Sequence, residues 1–254
     1  MDPNAGKDMG NTVEHEVSMW LASLGPATDR LLGTVAALTD DQVREPSPLP
    51  GWTRGHVLSH IARNADGLGN LLRWAHTGTQ IPMYPSAQAR DADIEAGAGR
   101  SAAELAADVR NSAAEFADRA ASLPAAAWTV PVRVLRGGMF PAIGILERRL
   151  SEVEIHHVDL GAGYQPADWP GEFVGDALPR VAGSFSGRQD APACQILPDG
   201  GGDGFWIGPA GPRGAPVVVT GPARDLLAWL LGRGAGTGLR VLSGSALPVL
   251  PAWR

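Results

Sequence analysis

The sequence predicts an α+β protein in two parts, a four-helix bundle followed by a small α+β domain. Three observations predict it. Four segments before residue 162 repeat apolar residues at helical spacing. The composition then shifts to a Gly- and Pro-rich stretch, "GAGYQPADWPGEF". Beyond it lie short strand-like runs bounded by Gly and Pro, with one compact apolar helix pattern among them. The boundaries read from these shifts are a flexible tail over 1–12, a helical domain over 13–162, a linker over 163–171 and a small α+β domain over 172–254.

The tail, "MDPNAGKDMGNT", is polar and has no apolar h-region, so it does not read as a signal peptide. A first helix over 13–38 carries Val17, Trp20, Leu21, Leu24, Leu31, Leu32 and Val35 on one stripe. "REPSPLPGW", 44–52, is broken by Pro46, Pro48 and Pro50. Thr53 follows as a candidate N-cap. The second helix then places Val57, Ile61, Leu68, Leu71, Leu72 and Trp74 inward and stops near "HTGT". Residues 79–89 read as a loop. Ser101 and Glu104 match a capping box for a third helix, striped by Leu105, Val109, Ala113 and Phe116. Residues 125–140 are β-like, and a fourth helix runs from about Pro141 to Leu160. Four such helices suggest a bundle. In the last part "APACQILP", "GFWIG", "PVVVTG" and "GLRVLSG" read as strands and "ARDLLAWLLGR" as a short helix.

Composition narrows the function. Of 254 residues, 44% are hydrophobic, enough for a substantial core. The net charge is -6 and the basic residues are scattered, which leaves no footprint for nucleic acid. Lys7 is the single lysine; the arginine excess reads mainly as a bias of the coding sequence. Cys194 is the single cysteine, so no intramolecular disulfide and no thiolate metal cluster can form, and it reads as a small core residue. No apolar run approaches the roughly 20 residues that span a membrane. The expected setting is the cytoplasm.

The chemistry-bearing residues lie on two of the helices. "GWTRGHVLSHIARNADGL", 51–68, sets His56 and His60 four apart, near the start of the second helix. "ERRLSEVEIHHVDLGAG", on the fourth, sets Glu152 and His156 four apart and Glu154 and His157 three apart. With Leu146, Val153 and Leu160 marking the core, His156 falls on one flank and His157 on the other. Periodicity does not choose between the pairs; it says that at least one histidine looks inward. Inward His and carboxylate groups on facing helices are a way to build a metal site, and two His with one Glu and an open position suit zinc.

At these residues the chain resembles a known family. "LPGWTRGHVLSHIARNADGLGNLLRWAHTGT", "PMYPSAQAR", "SEVEIHHVDLGAG" and a C-terminal "GRG" look like the mycothiol-dependent maleylpyruvate isomerases. These are DinB-like four-helix metalloproteins with a small C-terminal α+β domain. The resemblance covers nearly the whole chain in the same order. It implies metal ligands His60, Glu152 and His156, holding Zn2+ or another divalent metal. It leaves His56 as a cap-region residue, His157 as a packing residue, and Asp159 as either an imidazole partner or a turn cap. It implies two substrate-binding arginines, Arg90 in "SAQARDAD" and Arg233 in "LLGRGAG", whose forks suit a dicarboxylate. Arg233 would bring the second domain over the metal, with the substrate pocket between the two.

The activity so implied is cis–trans isomerisation of maleylpyruvate to fumarylpyruvate with mycothiol as the thiol cofactor. The thiolate adds to the double bond, the bond rotates, and the thiolate leaves. The expected partners are the small dicarboxylate and mycothiol, with no nucleic acid, no membrane and no second subunit. A mycothiol S-transferase using the same centre on an electrophilic metabolite or toxin is the alternative, although an apolar electrophile has no use for two arginine clamps. A non-catalytic sensor is a third reading, and no basic DNA-reading helix accompanies it.

Overall fold

In the computed structural model the described residues are 5–135, 137–201, 204–209, 217–244 and 246–253. They divide into two units, Met1–Ala162 and Gly163–Arg254. The first is built on four long helices, α1 (Ala5–Ala36), α3 (Arg54–Thr77), α5 (Ala102–Ala121) and α6 (Gly144–Asp159). Two shorter ones accompany them, α2 (Asp40–Arg44) and α4 (Ala87–Ala98). Helix α3 packs on α4, α5 and α6, and α1 packs on α5 and α6. The stripes face one core: Leu24, Leu31 and Val35 meet Ile61, Leu68 and Leu72 of α3, Leu105, Val109 and Phe116 of α5, and Leu146 and Val153 of α6. Each fully buried Leu or Ile contributes ~1.5–3 kcal/mol.

Local signals set the helix ends. Thr53 caps α3, with Gly51 just before it at φ 81°. Ser101 caps α5 in a full capping box with Glu104. The stretch 125–140 forms a 3-10 turn (Ala125–Thr129) and the antiparallel strands β1 (Pro131–Arg133) and β2 (Met139–Pro141).

Several expectations are corrected. Helix α1 begins at Ala5, so residues 5–12 are helical backbone and not a tail; the segment holds no proline to break a helix and no apolar stripe to announce one. Residues 87–89 belong to α4, which shows almost no amphipathic pattern. What seats α4 is close approach: a Cβ on Gly55 of α3 would overlap the Ala98 carbonyl oxygen, and one on Gly97 would overlap Ser59 Oγ.

The second unit carries a four-stranded sheet of β3 (Cys194–Pro198), β4 (Phe205–Ile207), β5 (Val217–Gly221) and β6 (Arg240–Ser243), in the order β4-β3-β5-β6. β3 and β5 are parallel; the edge pairs are antiparallel. Helices α7 (Gly171–Phe185) and α8 (Ala223–Leu230) pack on each other, α7 against β4 and α8 against β3 and β5. The stretch 163–171, read as a linker, instead begins this unit. Trp169 is buried there, edge-on to Phe173 at 5.7 Å, and Arg224 donates to its carbonyl at 2.9 Å. Helix α7 was obscured by Gly171, Gly175, Pro179 and Gly183, yet its face Phe173, Val174, Ala177, Leu178, Val181 and Phe185 is buried. Cys194 is buried in β3, and burial pushes its thiol up to about 11, as suits a core residue. No helix among the described residues is long and apolar enough to cross a membrane.

Candidate metal centre

The two histidines near the start of α3 do different work. His56 is the N3 residue of the α3 capping box. Thr53 N–H donates to its Nδ1 at 3.1 Å, so its Nε2 carries the proton and donates to Glu95 of α4 at 3.1 Å. His60, one turn later, points into the bundle and is 5% exposed.

There it meets α6. His60 Nε2 lies 3.1 Å from Glu152 Oε2 and 3.0 Å from His156 Nε2, and the latter two atoms are 3.2 Å apart. The three form the group of potential metal donors found among the described residues. The cluster is closed on one side and open on the other: the Glu152 side chain is 32% exposed, that of His60 6%. Burial pushes the His60 imidazole down to about 4, helped by the neighbouring His156 charge. Burial also opposes charge on His156, but the hydrogen bonds it donates to Asp159 and Glu152 outweigh it and lift that imidazole to about 9. Burial likewise works against the Glu152 carboxylate, and the two histidines outweigh it, holding its pKa well below the usual range.

The donor set fits a divalent cation. Tetrahedral zinc, with bonds of about 2.0–2.1 Å, separates its ligands by about 3.3 Å, close to the spacing of these three atoms. Asp159 Oδ2 receives His156 Nδ1 at 2.8 Å, which turns Nε2 toward the other two donors.

The frame around the cluster is fixed by polar ties between α3 and the α6 region. Arg54, at the start of α3, donates to the Leu160 and Gly161 carbonyls beyond the end of α6, at 2.6 and 3.1 Å. Arg149, buried one turn before Glu152, donates to Ile61 O and Asn64 Oδ1, both at 2.9 Å. The competing pair on α6 faces elsewhere. Glu154 pairs with Arg30 at 2.6 Å and His157 Nε2 meets Thr34 Oγ1 at 2.7 Å, both on α1.

Of the two arginines, Arg90 lies beside the cluster, its NH2 3.1 Å from His60 Nδ1. Arg233 lies in the second unit, just after α8, where it donates to the Leu231 carbonyl at 2.6 Å. Two neighbours were not singled out from sequence. Trp52 stands edge-on to His60 with ring centres 5.6 Å apart, and Tyr84 lies near Arg90. The signal for each was an aromatic residue inside an otherwise polar or Pro-rich motif, "GWT" and "PMYPS".

Comparison with known proteins identifies the family. Residues 24–161 match the family model described as the mycothiol maleylpyruvate isomerase N-terminal domain. The chain belongs to this family. Residues 168–252 match the MDMPI C-terminal domain of the same isomerases. A crystal structure titled as the mycothiol-dependent maleylpyruvate isomerase superposes with a TM-score of 0.86 at 28% identity, covering 93% of this chain and 97% of that one. A histidine-to-alanine mutant of it gives the same values. No curated protein matches the sequence. Membership in the maleylpyruvate isomerase family accords with the α+β fold and with an isomerase activity.

Proposed function

We propose that the chain isomerises maleylpyruvate to fumarylpyruvate with mycothiol as thiol cofactor and a divalent metal, zinc on the donor set. The observation that carries this reading is the arginine beside the cluster: Arg90 sits 3.1 Å from His60 Nδ1, in a chain of the isomerase family. Maleylpyruvate is a dianion, and a guanidinium at the edge of the centre supplies the charge its carboxylate needs. The S-transferase reading has no such requirement.

His60, Glu152 and His156 would hold the metal. A cation bound there lowers the pKa of a coordinated thiol toward neutrality. The protein's own groups then bind and orient. Asp159 keeps His156 in the tautomer that presents Nε2. Arg90 holds a carboxylate and stabilises negative charge as it spreads into the dicarboxylate during addition. Arg233 is the second carboxylate clamp in this reading. The same carbon is attacked and released, so no proton need move at carbon and no general base is invoked. All three donors come from one chain, which supports a monomer, and a single buried thiol supports the cytoplasm.

The test is kinetic. Zinc-loaded protein is given mycothiol and maleylpyruvate, and the absorbance change to fumarylpyruvate is followed beside a His60→Ala control. Turnover without loss of free thiol, abolished in the control, is expected. Consumption of thiol into a stable adduct points to the S-transferase. No reaction despite stoichiometric metal sinks the isomerase reading.

A further inference from the structure

We infer that the groove between α1 and α5 is a second binding site, for a monocarboxylate with an apolar body, whose carboxylate is received by Arg149 on the groove floor. The inference stands apart from the isomerase reading and from the metal centre.

The groove follows from small residues on two helices of the bundle. Helix α5 offers Ala113 and Ala117, and α1 offers Gly25 to the same cavity. A Cβ on Gly25 would meet nothing within 4 Å. The space left is a cavity of about 330 Å³, at the lower end of the ~300–1,000 Å³ usual for small-molecule sites. Its walls are mainly apolar, with Leu24 and Leu32 from α1 and Phe116 from α5. Leu24 and Phe116 are buried and form its depth.

An apolar groove alone names no occupant; Arg149 of α6 does. It lines the same cavity and is 1% exposed. Its guanidinium carbon lies 6.0 Å from the ring centre of Phe116. NH1 is committed to α3, donating to Ile61 O and Asn64 Oδ1 at 2.9 Å each. NH2 is equally buried and has no hydrogen-bond partner among the described residues. Glu152, one turn along α6, supports the charge from a distance but makes no hydrogen bond to it. Burial pushes the guanidinium down to about 10, which leaves it cationic at neutral pH. A buried donor on a charged group is costly without an acceptor, and a carboxylate oxygen beside NH2 removes that cost.

The mouth of the groove limits the charge of the occupant. Exposed Asp29 and Arg110 line it, and their charges offset one another in water. A carboxylate that enters first reaches Arg149 and leaves its hydrocarbon tail against Leu24, Leu32 and Phe116. A second carboxylate on that tail would lie against the apolar walls or beside Asp29, so a dianion is disfavoured. This requirement is opposite to that of Arg90, where a dicarboxylate is expected.

The test is equilibrium dialysis of the full chain against radiolabelled octanoate and, separately, octan-1-ol. Octanoate is expected to bind one per chain in the millimolar range or tighter. The alcohol keeps the tail and loses the charge, and is expected to bind at least about tenfold more weakly, the effect of one charge-assisted hydrogen bond. Ala117→Trp fills the groove from an exposed position without touching Arg149, and is expected to abolish octanoate binding. Arg149→Met is expected to lower octanoate to the affinity of the alcohol. No octanoate binding at millimolar concentration overturns the inference, and so does an alcohol that binds as tightly as the acid. Unchanged octanoate affinity in Ala117→Trp also overturns it, because the ligand would then lie elsewhere, the surroundings of Arg90 included. If Arg149→Met fails to fold, the alcohol and Ala117→Trp decide the matter without it.

Discussion

Asp159 Oδ2 lies 2.8 Å from His156 Nδ1, on the same helix and almost fully buried. A carboxylate so placed fixes both the tautomer and the tilt of the imidazole. Asp159→Asn is expected to weaken divalent metal binding by ~10–100-fold with the fold retained. Competition against a chromophoric chelator measures it. Unchanged affinity would reduce Asp159 to a turn residue.

His56 and His60 are expected to separate cleanly. His56→Ala removes one arm of the α3 cap and lowers stability by ~0.5–2 kcal/mol. Metal stoichiometry stays at the wild-type value. His60→Ala removes a donor and abolishes stoichiometric binding. Urea unfolding and metal analysis on both variants decide it; metal loss in His56→Ala would contradict the division.

Gly55 and Gly97 mark the contact between α3 and α4, but their substitutions are not equivalent. A Cβ on Gly55 meets the backbone carbonyl of Ala98, which cannot turn away. Gly55→Ala is expected to cost ~1–3 kcal/mol through displacement of α4. A Cβ on Gly97 meets the Ser59 hydroxyl, which can rotate, so Gly97→Ala costs less. Unfolding midpoints compare them directly.

Cys194 gives a test of the second unit. Its thiol is pushed up to about 11 by burial, so at pH 8 it stays protonated in the native state. The unfolded thiol, with a pKa of about 8.5, is partly thiolate there. Alkylation by iodoacetamide at pH 8 is expected to be at least about tenfold slower in the native protein than in urea. Equal rates would place the thiol at the surface.

Much of the first unit was legible because its signals are local. Thr53 and Ser101 announce helix starts through their own side chains, and the apolar stripes of α1, α3 and α5 have the helical period. Helix α4 was illegible because its attachment comes from two glycine contacts and not from a stripe. The choice between Glu152/His156 and Glu154/His157 was open for a different reason. Both histidines are inward, and what separates them lies on other helices: His60 on α3 faces one pair, Arg30 and Thr34 on α1 face the other. The resemblance named the first pair; periodicity did not. Tyr84 escaped notice because its place depends on Gly67, in another element.

The clasp of Arg54 on the Leu160 and Gly161 carbonyls bears on how the centre withstands an empty state. It joins the helix that bears His60 to the end of the helix that bears Glu152 and His156, without using any of the three. Neutral and cationic ties hold the register while the donors exchange their occupant. The centre is a socket, built before its plug arrives: stripping and reloading the metal should leave the helical circular dichroism spectrum superimposable throughout.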